Sequence, residues 1–378
     1  MIERAITGPI RTDLERKIVL VAGPRQCGKT TLSRSLYSEY QYLNYDAAAD
    51  RLLINRQEWL RNTPLVIFDE LHKMPQWKRW LKGIYDTQPI PPRLLVTGSD
   101  RLEISRKMGD SLAGRHFLFR LHPFTIKELQ STFPSDQSFP RLMRTGGFPE
   151  PFLADSPDFY RRWKRSHLDI IMRQDLLDLE SIRNITGIET LIELLRHRVG
   201  TPVSYQSLSR ELQCDATTVK RWLNVLENLY VIFRVSPWHR SVARALTKEP
   251  KYYFYDIAHA PEDPGARYEN LVALELHCEA HRVEDTTGRK VVLWYLRTRE
   301  GQELDFLISV DDRPRLVLEA KYAQPDPPAA MRWFHTQLAE YSPQFVHLVA
   351  ELDRERDIPN GPSIRRADSW LAQLNLVE

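Results

Sequence analysis

Residues Gly23-Pro24-Arg25-Gln26-Cys27-Gly28-Lys29-Thr30 spell the pattern G-x-x-x-x-G-K-T. A loop with a glycine at each end lets consecutive backbone N–H groups wrap a β-phosphate at a helix N-terminus. Lys29 then neutralises charge on the β- and γ-phosphates, the Thr30 hydroxyl reaches Mg²⁺, and Thr31 completes the nucleotide-binding set. The apolar run Leu65-Val66-Ile67-Phe68 ends in Asp69-Glu70. Paired carboxylates at such a strand end divide the work: Asp69 to the Mg²⁺ hydration shell, Glu70 to the attacking water as general base. The second carboxylate favours hydrolysis over transfer to a small molecule. A third run, Leu94-Leu95-Val96, ends in Thr97-Gly98-Ser99. Ser99 is either a polar sensor between water and γ-phosphate or part of a strand-ending turn. Arg115, after Ser111-Leu112-Ala113-Gly114, is either an arginine finger for a neighbouring subunit or an exposed arginine capping a helix.

A different chemistry is spelled further on. Glu269 lies near the start of a helical stretch, Asp305 in an apolar run, and Glu319-Ala320-Lys321 at the end of the next. Side chains two apart on a strand share a face, so Glu319 and Lys321 project together beside Asp305. With Glu269 the two carboxylates can bind a divalent ion, and Lys321 can orient a water for phosphodiester cleavage. The order resembles the restriction-endonuclease-like core with its D…E-x-K motif. Glu303 can stand in for Asp305, and no Gln or second Lys after Lys321 is clearly marked as completing such a site. The competing reading is ion pairing of Asp305 and Glu319 with Lys321 or Arg297.

The elements that position these residues follow from periodicity. The first third alternates short apolar runs with helical patterns, the rhythm of a parallel sheet with crossover helices. Between Gln130 and Pro157 come several prolines and Gly146-Gly147, which predict a linker or lid and place the first boundary at 150. In the middle third, Ser204–Leu212 and Ala216–Leu229 read as two helices with a turn at Gln213-Cys214-Asp215, which is helix-turn-helix spacing, with Asp215 as cap. Val219, Trp222, Leu223 and Leu226 form the inward face; Thr217, Thr218, Lys220, Arg221 and Asn224 point outward, suited to bases and phosphates. Val231–Val235 and Lys251–Tyr255 read as wing strands, with Arg240, Arg244 and Lys248 between them. After residue 251 the runs turn short, β-branched and aromatic.

The series G-P-R-Q-C-G-K-T, F-D-E-L-H-K-M-P-Q-W, V-T-G-S, S-L-A-G-R and T-G-G-F-P-E resembles the prokaryotic AAA-type ATPases whose C-terminal half is a domain of unknown function (number 4143). The resemblance implies ATP as nucleotide and roles for Lys29, Thr30, Asp69, Glu70, Ser99 and Arg115 like those argued above.

The expected fold class is therefore α/β: a P-loop AAA-type ATPase domain over 1–150, a mainly α-helical winged-helix domain over 151–250, and a restriction-endonuclease-like α/β domain over 251–378. Three scattered cysteines without metal-ligand spacing argue against a structural zinc. No stretch approaches the roughly 20 apolar residues of a membrane span, and no secretory leader is read, so a cytoplasmic protein is expected. The net charge is +3, yet residues 161–251 hold 16 Lys/Arg against 10 Asp/Glu, so the basic excess falls on the middle segment. That fits a phosphate backbone as partner, as do solvated helix faces. The expected function is an ATP- and Mg²⁺-dependent, DNA-stimulated motor that remodels duplex or branched DNA as a homo-oligomer or ring. A nucleotide-dependent switch acting on proteins and an ATP-regulated nuclease are the alternatives.

Overall fold

The structure is a computed structural model that describes residues 2–87, 92–98, 112–172, 184–239, 248–298 and 300–377. It divides into two compact units, Met1–Pro123 with Asp285–Thr287, and Phe124–Glu284 with Gly288–Glu378.

The first unit is built on five strands: β1 (Ile18–Ala22), β2 (Gln41–Asn44), β3 (Leu65–Asp69), β4 (Arg93–Gly98) and β5 (His116–Arg120). They lie in the order β2-β3-β4-β1-β5, and every pairing is parallel. β1 and β3 are buried at every residue, which explains why they read as unbroken apolar runs: helices cover both faces of a parallel sheet. Phe68, Trp59 and Trp80 meet edge to face at 5.3–5.9 Å, in a cluster with Trp77, Leu81 and Ile84 from the helix Trp77–Thr87. The register pairs Ala22 with Gly98 and Thr97 with Asp69. The carboxyl ends of β1, β3 and β4 therefore finish side by side, where open α/β sheets bind ligands. β5 was not anticipated: it is short, polar at both ends and only partly buried.

The second unit has one eight-stranded sheet. Its strands are β6 (Ile232–Pro237), β7 (Lys251–Phe254), β8 (Val291–Arg297), β9 (Glu303–Val310), β10 (Arg313–Lys321), β11 (Gln344–Val349), β12 (Arg356–Asp357) and β13 (Ser363–Arg366), in the order β12-β13-β11-β10-β9-β8-β6-β7. Two expectations are corrected here. The strands assigned to a wing belong to the same sheet as the C-terminal strands, because Ser236 and Pro237 pair with Trp294 and Tyr295 and Trp238 N–H donates to the Tyr295 carbonyl at 2.7 Å. A boundary at 250/251 would cut this sheet. Where a linker or lid is expected between Gln130 and Pro157, the helices Ser135–Thr145 and Pro149–Ala154 stand instead, preceded by the short helix Ile126–Leu129, and all three are within the second unit. The prolines of this stretch are largely helix starters: Pro149 and Pro157 open their helices, where the missing N–H costs nothing, and Pro134 precedes a third. Thr125 and Glu128 form a reciprocal capping box at the first of them.

Among the described residues no helix is long and apolar enough to cross a membrane.

Candidate nucleotide site and a buried charge cluster

The loop from Gly23 to Gly28 leaves β1 and enters the helix Lys29–Ser35. Gly23 has φ +155°, and a Cβ there would stand 2.1 Å from the Leu121 carbonyl oxygen, so no larger residue fits without moving backbone. Gly28, at φ +100°, precedes the helix in a conformation glycine tolerates. Cys27 is fully buried with its Sγ 3.4 Å from the Leu121 carbonyl, and Arg25 and Gln26 are the more accessible residues of the loop. Lys29 donates to the carbonyls of Gly23 (2.9 Å) and Pro24 (2.7 Å) across the loop. Arg4, which the motif reading missed, donates to the carbonyls of Cys27 (3.0 Å) and His122 (2.5 Å) and ties the loop from below.

Thr30 and Asp69 come together: Thr30 Oγ1 donates to Asp69 Oδ2 at 3.0 Å. Asp69 is 6% exposed and takes three further donors, the hydroxyls of Tyr42 and Thr97 and the backbone N–H of Glu70. Tyr42 was also missed; β2 delivers it because Asn44 and Asp69 are register partners. Its phenol is pushed up to about 12 by burial and by the Asp69 carboxylate it bonds. A hydroxyl and a carboxylate are hard oxygen donors, a set that suits Mg²⁺ beside phosphates.

Glu70 follows at φ +56°, with its N–H bonded to the Thr97 carbonyl at 3.0 Å. Its carboxylate lies 3.4 Å from Lys73 Nζ and 3.6 Å from His72 Nε2. Burial raises its proton affinity, and the Lys73 ammonium opposes that rise. A carboxylate shifted this way is a better proton acceptor than a solvated one. Ser99 lies outside the described residues. Thr31 is exposed on the helix.

Arg115 does not join this group. It precedes β5 at the amino-terminal edge of the sheet, opposite the loop, as its carbonyl bonding to Ile18 N–H shows. Its guanidinium makes a two-point ion pair with Asp86, at 2.7 and 3.1 Å.

In the second unit, the helix Ala216–Asn228 buries Val219, Trp222, Leu223 and Leu226. Thr217, Lys220, Arg221 and Asn224 are exposed, and Thr218 is half-buried. Gly187 allows this packing, since a Cβ there would stand 2.5 Å from the Trp222 ring. Asp215 occupies the cap position, yet its side chain makes no capping hydrogen bond. β6 and β7 pair antiparallel after this helix. Lys248 is described; Arg240 and Arg244 lie outside the described residues.

The acidic residues of the C-terminal part do converge. Asp305 N–H donates to Glu319 Oε2 at 3.2 Å, Ala320 N–H donates to Asp305 Oδ2 at 3.0 Å, and Lys321 Nζ lies 2.7 Å from Glu319 and 3.5 Å from Asp305. Glu269 accepts the Tyr253 hydroxyl at 2.7 Å, and its carboxylate lies over Gly200, where a Cβ would stand at 2.5 Å. Lys251, which no motif marks, joins them. Its ammonium, 1% exposed, lies 2.7 Å from Glu303 and 3.7 Å from both Asp305 and Glu269. Burial raises the carboxyls of Glu269 and Glu319, to about 7 and about 8, with Asp305 adding to both shifts. Among the described residues no three His, Cys, Asp or Glu side chains form a group able to hold a metal ion.

Residues 15–130 match the family described as an AAA domain, and residues 264–363 the domain of unknown function DUF4143. The chain is an AAA-type ATPase with a C-terminal DUF4143 domain. Between the two, residues 136–261 of this ATPase match another domain of unknown function, DUF8612. Glu269, Asp305, Glu319 and Lys321 fall within the DUF4143 match and Lys251 within the DUF8612 match, so the charge cluster draws on both. The AAA-type chain is similar to an uncharacterized protein of Mycobacterium tuberculosis, 27% identical over 307 residues, covering 79% of this chain and 68% of the relative. It is also similar to an uncharacterized protein of Methanocaldococcus jannaschii, 25% identical over 332 residues, covering 78% and 73%. Among solved structures it matches a Signal Transduction ATPase with Numerous Domains carrying a tetratricopeptide repeat sensor, from Pyrococcus horikoshii, at 13% identity and a TM-score of 0.23. That alignment covers 75% of this chain and about half, 48%, of the solved one.

Proposed function

We propose that this AAA-type ATPase hydrolyses Mg-ATP to remodel duplex or branched DNA as a homo-oligomer, and that it grips DNA through a winged helix formed by Tyr205–Glu211, Ala216–Asn228 and the β6–β7 pair. The observation that carries the DNA reading is the division of the helix Ala216–Asn228. One side is buried in the second unit, and the other offers Lys220, Arg221, Asn224 and Thr217 to solvent. Basic and amide side chains on the free face of the second helix of such a pair suit phosphate and base-edge contact.

At the nucleotide site the loop Gly23–Thr31 holds the phosphates, with Lys29 exchanging its loop carbonyls for β/γ oxygens. Thr30 and Asp69 hold the Mg²⁺ that comes with the nucleotide, which neutralises charge on the phosphate oxygens. Glu70 accepts the proton of the attacking water, and Ser99 is assigned the sensor position. Arg115 is the residue offered to a neighbouring copy, and to act there it must leave Asp86.

The test is the steady-state ATPase rate without DNA and with single-stranded DNA, duplex and a four-way junction, using Lys29→Ala as the blank. Stimulation by one DNA form that disappears in Lys220→Glu/Arg221→Glu supports the reading. A rate indifferent to every form would refute it in favour of a switch acting on proteins.

A further inference from the structure

The resemblance to a restriction-endonuclease-like core implies a divalent ion among Glu269, Asp305 and Glu319, and the donor set of this chain does not fit one. We infer that the Lys251 ammonium is the resident cation of this centre, standing where a divalent ion would, so that the centre binds no divalent metal and cuts no phosphodiester.

Lys251 opens β7, and Tyr253, two residues on, faces the same side and holds Glu269. Asn270, the neighbour of Glu269, locks the helix Pro264–Thr287 to that strand by two bonds, accepting from Phe254 N–H and donating to the Phe254 carbonyl, both at 2.8 Å. The ammonium is thus delivered by a strand end fixed against the same helix that brings Glu269. It reaches three carboxylates from two elements, Glu303 and Asp305 on β9 and Glu269 on the helix. The Tyr295 ring lies 5.2 Å from Nζ, a cation–π distance.

Asp305 is engaged on both oxygens. Lys251 lies on the Oδ1 side, while Lys321 and the Ala320 N–H lie on the Oδ2 side. Glu319 is likewise occupied, by Lys321 on one oxygen and the Asp305 N–H on the other. A divalent ion needs several carboxylate oxygens at about 2.0–2.6 Å on a common centre. Here the oxygens of Glu269, Glu303 and Asp305 converge on an ammonium at 2.7–3.7 Å, and a dication brought among them would meet a positive charge that is 1% exposed. The cluster does another job: it ties β7, β9, β10 and the helix Pro264–Thr287 into one ion-paired knot, with Lys321 to Asp305 joining β10 to β9.

The experiment uses the full-length chain without nucleotide, in an Asp69→Asn background so that the nucleotide site contributes no metal. Mn²⁺ binding is read by electron paramagnetic resonance, and nicking of supercoiled DNA with Mn²⁺ or Mg²⁺ is read in parallel. The expected result is no bound Mn²⁺ that Asp305→Asn removes, and no nicking. Lys251→Met, which deletes the ammonium and keeps the stem, should gain one Mn²⁺ site, lost again on adding Asp305→Asn, and its Tm should rise with Mn²⁺. A stoichiometric Mn²⁺ site in the parent that Asp305→Asn abolishes would overturn the inference, as would nicking abolished by Lys321→Ala. So would a folded Lys251→Met variant that binds no Mn²⁺. If that variant does not fold, the titration of the parent alone decides.

Discussion

Replacing Glu70 by Gln keeps the shape of the side chain and removes its capacity to take a proton. The structure bounds what else changes. Asp69 loses nothing, because the Glu70 group that bonds it is the backbone N–H at 3.1 Å. Lys73 loses one carboxylate at 3.4 Å but keeps Asp46 at 2.5 Å, and that remaining pair is half exposed, so the stability change should stay under about 1 kcal/mol. Positioned general bases contribute roughly 10²–10⁴ in rate, which corresponds to about 3–5 kcal/mol of barrier. The expected result is a fall in single-turnover hydrolysis within that range, with fluorescent ATP-analogue affinity and Tm close to the parent. Two outcomes refute the assignment. A loss in rate below about tenfold would show that Glu70 is not the base. A matching loss of affinity would show that it serves nucleotide binding instead.

Gly23→Ala forces a Cβ to 2.1 Å from the Leu121 carbonyl, so a thermal melt should show destabilisation of about 1–3 kcal/mol and a nucleotide titration should show lost binding. Arg115→Ala breaks an exposed pair and should change Tm little; if Arg115 serves a neighbouring copy, turnover should fall by about 10³ or more. Asp86→Ala, which frees the same arginine, should leave turnover intact, and equal losses in both variants would make the pair structural. Glu275 is buried where Ile126 N–H bonds it at 3.0 Å, and burial lifts its carboxyl to about 8. Because that is above the unfolded value, the folded state holds a proton that the unfolded chain releases, and stability falls as pH rises between about 4.5 and 8. Glu275→Gln should therefore gain Tm over the parent progressively across that window, and a constant offset would refute the shift.

The candidate nucleotide site was largely legible as a grouping of residues because most of them are local in sequence. The glycines, Lys29 and Thr30 are contiguous, and Asp69-Glu70 ends an apolar run whose burial on both faces is written in its composition. What escaped depends on register between distant strands. Tyr42 reaches Asp69 only because β2 pairs beside β3, and Arg4 reaches the loop at Cys27 across 23 residues and His122 across 118. The outward face of Ala216–Asn228 was legible from its 3.6-residue period, whereas the missing bond at Asp215 was not, since a cap residue type does not fix a side-chain rotamer.

The second unit shows where a composition shift misleads. From about residue 251 the runs turn β-branched and aromatic, which reads as a new domain beginning, and Lys251 sits at that seam as one more basic residue of a wing. The structure makes the seam a strand junction. β6 leaves the helix Ala216–Asn228 through Leu229–Val231, pairs with β7 on one side and touches β8 on the other, so the sheet that carries Asp305 and Glu319 also carries the strand that follows the exposed basic face. A lysine counted toward a nucleic-acid surface is thereby the most deeply buried cation of the carboxylate cluster. Burying an unpaired ammonium is prohibitive, so a lysine at 1% exposure requires carboxylates around it. Glu269, Glu303 and Asp305 therefore have a structural reason to converge that does not depend on a metal.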